Sequence, residues 1–206
     1  MAFLAPSYNP AIVLASLAIA TFASYVALDL AKRVRTDDRR VALAWWAGGS
    51  LALGTGIWCM HFVGMLAFSL PIALGYTLGL TVLSWGAGVV VSAIALGVAS
   101  QGTLTWGRLA GGALAMGAGI CAMHYIGMGA LDMAPGIVWN PGRVAASAAI
   151  AVAASAAALR IFFWLRDRGG RHAVQCHALA ALVMGAAICG MHDTGMWAAT
   201  FAAGSV

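Results

Sequence analysis

The sequence predicts an all-α membrane protein, six transmembrane helices built as three tandem two-helix repeats. Three observations lead there. Of its 206 residues, 63% are hydrophobic and only 8% are charged, where a soluble domain carries about 25% charged residues. Six apolar stretches are long enough to cross a hydrocarbon core, which takes roughly 20 residues of helix. One motif, Met-His-x-x-Gly-Met, recurs at Met60–Met65, Met123–Met128 and Met191–Met196. The 26 glycines suit closely packed membrane helices, because small side chains let backbones approach.

The first stretch spans about 10–31. No basic n-region precedes it, so it reads as an uncleaved first helix rather than a signal peptide. It runs into Lys32, Arg33, Arg35, Arg39 and Arg40. The second, about 42–68, holds the first motif, and the third, about 72–98, holds none. The fourth, about 107–130, opens beside Arg108 and holds the second motif. The fifth, about 143–165, starts at Arg143 and ends among Arg160, Arg166, Arg168 and Arg171; the sixth, about 177–200, holds the third motif. Residues 1–206 thus read as a single transmembrane domain.

Ten of the eleven basic residues fall in or beside the first, third and fifth connections, leaving only Arg143 on the other side. The positive-inside rule places those connections in the cytoplasm and both termini outside. The net charge of +5 is therefore explained by topology and by contact with anionic lipid heads. It calls for no nucleic acid.

This topology brings the motifs together. Each lies on an even-numbered helix, at a rise of roughly 22–30 Å from the cytoplasmic end. His61, His124 and His192 thus reach one depth near the outer face. Aligned on the histidines, the repeat extends to Gly54, Gly117 and Gly185 seven residues before, to Ile57, Ile120 and Ile188 four before, and to Ala67, Ala130 and Ala198 six after. Internal repetition marks what each unit needs.

Ionisable residues inside a membrane are functional by default. A histidine and the methionine four residues later share a helix face, so His61, His124 and His192 with Met65, Met128 and Met196 are the first choice of metal ligands. Met60, Met123 and Met191 border that face and come second. Imidazole suits zinc, copper, iron and nickel, whereas thioether sulfur favours copper. The methionines therefore select copper over a three-histidine zinc site. A His/Met haem gives no reason for three equivalent pairs. Tyr125 is a candidate to hydrogen-bond a bound ligand, or else an interfacial tyrosine. Asp193 is a candidate to anchor a histidine ring from behind or to accept a proton, or else an interfacial charge. Cys59, Cys121 and Cys189 do not align on one face and read as packing residues, without the pattern of a secreted disulfide framework. His172, Cys176 and His177 read as a solvated helix start.

The three motifs make the chain resemble the MHYT domain, a bacterial integral-membrane sensor domain named for Met-His-Tyr-Thr. No copy reads so in full: Phe62-Val63, Tyr125-Ile126 and Asp193-Thr194 stand after the histidines. The resemblance implies copper bound by the nine Met and His residues above and sensing of a diatomic gas, dioxygen, carbon monoxide or nitric oxide, in the bacterial inner membrane. It also implies a partner in cyclic di-GMP signalling. Such an output domain beyond Val206 needs a seventh helix to reach the cytoplasm, so the chain is expected to be a stand-alone member or a fragment. Two other classes use the same centre: a membrane copper oxidase or oxygenase, and a copper-handling protein. Sensing, without turnover, is the leading expectation.

Overall fold

The computed structural model describes residues 7–71, 74–134, 136–166 and 172–202. Among them are six long helices: α1 (Pro10–Arg33), α2 (Arg39–Ala67), α3 (Leu78–Ala99), α4 (Trp106–Gly129), α5 (Pro141–Leu165) and α6 (Ala173–Ala198). All six are long and apolar enough to cross a membrane, and the chain is a multi-pass membrane protein. The helices close into a ring in chain order, each packed on its two sequence neighbours and α1 on α6.

Local chemistry sets the starts. Asn9 and Asn140 cap α1 and α5, their side chains accepting from Ala11 N (3.0 Å) and Arg143 N (3.1 Å). A proline follows each cap, where its fixed φ suits the first turn and its missing N–H costs nothing. Asp38 caps α2 through Arg40 N at 2.8 Å, and Thr105 caps α4 through Arg108 N at 3.3 Å.

Two-residue strands tie each helix pair at one end of the bundle. They are β1 (Ser7–Tyr8) with β2 (Phe68–Ser69), β3 (Gly75–Tyr76) with β4 (Leu131–Asp132), and β5 (Val138–Trp139) with β6 (Ala199–Thr200), all antiparallel. The repeated alanines now acquire a role: Ala67, Ala130 and Ala198 accept backbone hydrogen bonds from the capping residues Asn9, Thr77 and Asn140. Each ribbon closes one two-helix unit.

These ribbons correct the helix bounds. The third helix begins at Leu78 rather than near 72, and the sixth ends at Ala198 rather than 200. Phe68, Leu70, Leu74 and Tyr76 are apolar because they pack as a lid over the bundle end, and hydropathy does not separate a lid from a span. The sixth helix also starts a turn earlier, at Ala173. There His177 is not solvated: it is 9% exposed, its Nδ1 meets Ala173 O at 2.6 Å and its Nε2 meets Lys32 Nζ at 2.7 Å. That contact fastens the start of α6 to the end of α1.

Candidate metal centre

The repeated glycines let the ring close tightly. A Cβ on Gly54 would fall 2.6–2.8 Å from the backbone of Gly88 and Val89 in α3. One on Gly117 would strike Val152 in α5, and one on Gly185 would strike Thr21 in α1. Each motif helix therefore lies backbone to backbone against the first helix of the next unit. This contact requires glycine, since no larger residue fits.

Two turns further along, the histidines turn inward. His61 and His124 are fully buried and His192 is 2% exposed. Their Nδ1 atoms converge, His61 to His192 at 3.1 Å and His61 to His124 at 3.2 Å. The rings meet edge to face, with centroids 4.9, 5.1 and 5.2 Å apart. Among the described residues this is the one group of metal-ligating His, Cys or carboxylate side chains.

The other ring edge is equally constrained. His61 Nε2 faces Gly127, His124 Nε2 faces Gly195, and His192 Nε2 faces Gly64. At each, a Cβ on the glycine would overlap the ring. The histidine of every repeat thus seats in the glycine notch of another, α2 into α4, α4 into α6 and α6 into α2. Glycine three residues after each histidine is required by that close approach.

The donor set suits a metal ion. Three nitrogens bound to one ion at about 2.0–2.1 Å in tetrahedral geometry stand roughly 3.3–3.4 Å apart, close to the separations here. Three imidazole nitrogens facing one another cannot all be satisfied by hydrogen bonds among themselves, because a neutral ring has one donor and one acceptor. An ion accepting three lone pairs resolves this. The outer edge is unusual, since a metal-bound histidine ordinarily donates its far N–H to a carboxylate or carbonyl. Nε2 of His61 and of His124 are buried without such a partner among the described residues, and it is glycine that packs on this edge of the rings.

The remaining candidates are placed as follows. Met65, Met128 and Met196 are buried, and all three join a cluster with Phe68, Leu70, Leu131 and Phe201 beneath the ribbons. Met60, Met123 and Met191 are also buried, at 1% exposure each. Tyr125 lies edge-on to His124, with centroids 4.9 Å apart, but its hydroxyl bonds Ser147 Oγ at 2.5 Å. Asp193 lies on the exposed side of α6, and no hydrogen bond joins it to a triad histidine among the described residues. It faces Tyr8 instead: burial first, and the Asp193 charge second, raise the Tyr8 phenol above its ordinary pKa.

Sequence reasoning passed over the odd-numbered helices. Ser16, Ser84 and Ser147 are buried there and receive polar side chains from the motif helices. Trp58 Nε1 donates to Ser84 Oγ at 3.1 Å, Tyr125 meets Ser147, and Cys189 meets Ser16. The odd helices repeat at offsets of their own, 68 residues and then 63, which these serines share with Ser24, Ser92 and Ser155. That was the available signal.

Comparison with known proteins now adds its findings. The sequence pattern of the MHYT repeat, described as "Bacterial signalling protein N terminal repeat", matches residues 1–44, 54–112 and 117–175. The chain is 59% identical over 199 residues, 97% of its own length and 29% of the relative's, to the bifunctional diguanylate cyclase/cyclic di-GMP phosphodiesterase MucR of Pseudomonas aeruginosa. It is 39% identical to the signaling protein YkoW of Bacillus subtilis over 95% of the chain and 24% of that protein. It is 36% identical to the cyclic di-GMP phosphodiesterase NbdA of Pseudomonas aeruginosa over 92% and 24%. The chain therefore spans under a third of these relatives. No solved structure matches.

Proposed function

The chain belongs to the MHYT family, and we propose that it is a membrane-embedded sensor unit holding copper at the His61–His124–His192 triad. The observation that carries this reading is the triad itself: three buried imidazoles from three repeats, with His61 Nδ1 3.1 Å from that of His192 and 3.2 Å from that of His124. Methionine sulfur beside imidazole favours copper over zinc, with Met65, Met128 and Met196 the first thioether candidates and Met60, Met123 and Met191 the second. Copper supplies a position at which a diatomic gas binds, or an electron that can be exchanged. Dioxygen, carbon monoxide and nitric oxide are the proposed signals, with redox state the other.

The protein's own part is mechanical. Each histidine is at once a ligand and a knob in a neighbouring helix. A shift of the His61 ring presses on or releases Gly127 of α4, and the same holds for His124 on α6 and His192 on α2. Interfaces packed this tightly repack between discrete arrangements rather than deform smoothly. With both termini periplasmic and the triad near that face, as the basic connections argue, the chain would sit in the bacterial cytoplasmic membrane. It would pass its state to a cyclic di-GMP cyclase or phosphodiesterase, the activities that MucR and NbdA are named for.

Metal analysis with electron paramagnetic resonance, with and without carbon monoxide or nitric oxide, tests the reading. Purified protein should contain copper in preference to zinc and respond reversibly to gas. His124→Ala should remove most of the metal. Full copper retention after His61, His124 and His192 are all replaced by alanine overturns the site, and steady dioxygen consumption with a reductant favours a copper oxidase instead.

A further inference from the structure

A cavity of about 100 Å³ lies on the bundle axis, on the side of the triad away from the ribbons. Its wall repeats the threefold pattern. Ile57, Ile120 and Ile188, one turn from the histidines, form the end nearest the triad. Ser24, Ser92 and Ser155 are the hydroxyl-bearing residues among those that line it, and no charged residue does.

Two of those serines are anomalous. Ser92 makes the usual helical bond, donating to Gly88 O at 2.8 Å. The hydroxyls of Ser24 and Ser155, each 2% exposed, have no partner among the described residues. A helical serine can satisfy itself on the carbonyl of the preceding turn, and a buried bond left unmade is destabilising. Two such hydroxyls on one apolar cavity set it apart from the rest of the interior.

We propose that this cavity is a binding site for a small, uncharged, largely apolar molecule of dioxygen size, held against the isoleucines within reach of the Ser24 and Ser155 hydroxyls. An ion is excluded by the wall, which offers no charge to offset its desolvation. Dry apolar cavities of comparable volume take up xenon or benzene. The identity of the natural occupant rests on the sensing reading above, for which the cavity would be the ligand's station one helical turn from the copper. Occupancy by a probe does not rest on it.

Xenon tests the site without any metal. Crystals of the full chain under xenon pressure, measured for anomalous scattering, should show a peak between Ser24 and Ser155, retained after chelation. Ala154→Leu fills the wall and should lower xenon occupancy at least tenfold, with Ala95→Leu as a second variant where the first does not fold. No xenon peak in the wild-type cavity, or ordered waters on Ser24 and Ser155 filling it, overturns the proposal. Xenon bound in protein that takes up no copper even when copper is supplied upholds the cavity while refuting the metal reading. Copper bound with no xenon does the reverse.

Discussion

Replacing Gly64 by alanine puts the interlock to its sharpest test. The added Cβ would lie 2.5 Å from His192 Nε2 and 2.9 Å from its Cδ2, where ordinary contacts begin at 3.4 Å. The ring must therefore retreat by about 0.9 Å. It has nowhere to go, because its opposite edge already stands 3.1 Å from His61 Nδ1. Metal–ligand distances hold to about ±0.2 Å, so His192 should be lost as a ligand. Overpacking costs about 1–3 kcal/mol, and alanine's better helix propensity returns about 1 kcal/mol, so the variant should fold. Copper affinity should fall at least about 100-fold, since each factor of ten is about 1.4 kcal/mol. Competition against a chelator of known affinity measures this, with melting as the check on folding. Gly190→Ala is the control: it lies on the same helix as His192, and its Cβ meets nothing within 4 Å. A folded Gly64→Ala protein that binds copper like the wild type refutes both the ligand role of His192 and its positioning by glycine.

Two further outcomes are expected. Gly117→Ala drives a Cβ onto the Val152 backbone, which no rotamer change relieves, so α4 and α5 must separate; stability in detergent unfolding should drop by about 1–3 kcal/mol, and an unchanged midpoint contradicts that packing. Asp193→Asn removes the charge beside Tyr8, so the phenol's pKa should move down yet stay above its ordinary value, because burial is the larger cause. Ultraviolet difference titration, with Tyr8→Phe to assign the signal, follows it, and copper content should not change.

The histidines and their shared depth were legible because repetition and topology are both one-dimensional properties of the chain. The glycine at +3 is visible as part of the motif, but what approaches it is a histidine from another repeat, and no pattern within one helix names that partner. The sequence left Asp193 between two roles; a carboxylate next to a histidine in sequence is about 100° away from it on a helix, and here that angle turns it outward. The segment from Phe68 to Tyr76 was hidden by its own hydropathy, and His177 by its place among charges. The serines of α1, α3 and α5 went unnoticed for a different reason: a single serine in an apolar helix carries little signal, and only the threefold repeat lifts it.

The head-to-tail seating of the rings also bears on how the protein is made. Gly64, on the second helix to be synthesised, holds a notch for His192, on the sixth. His124 likewise waits for Gly195 of that same helix. Until α6 is in place, His124 has no glycine to seat against and the notch at Gly64 has no ring. The triad is thus completed last: a chain arrested before the sixth helix presents at most two of the three imidazoles.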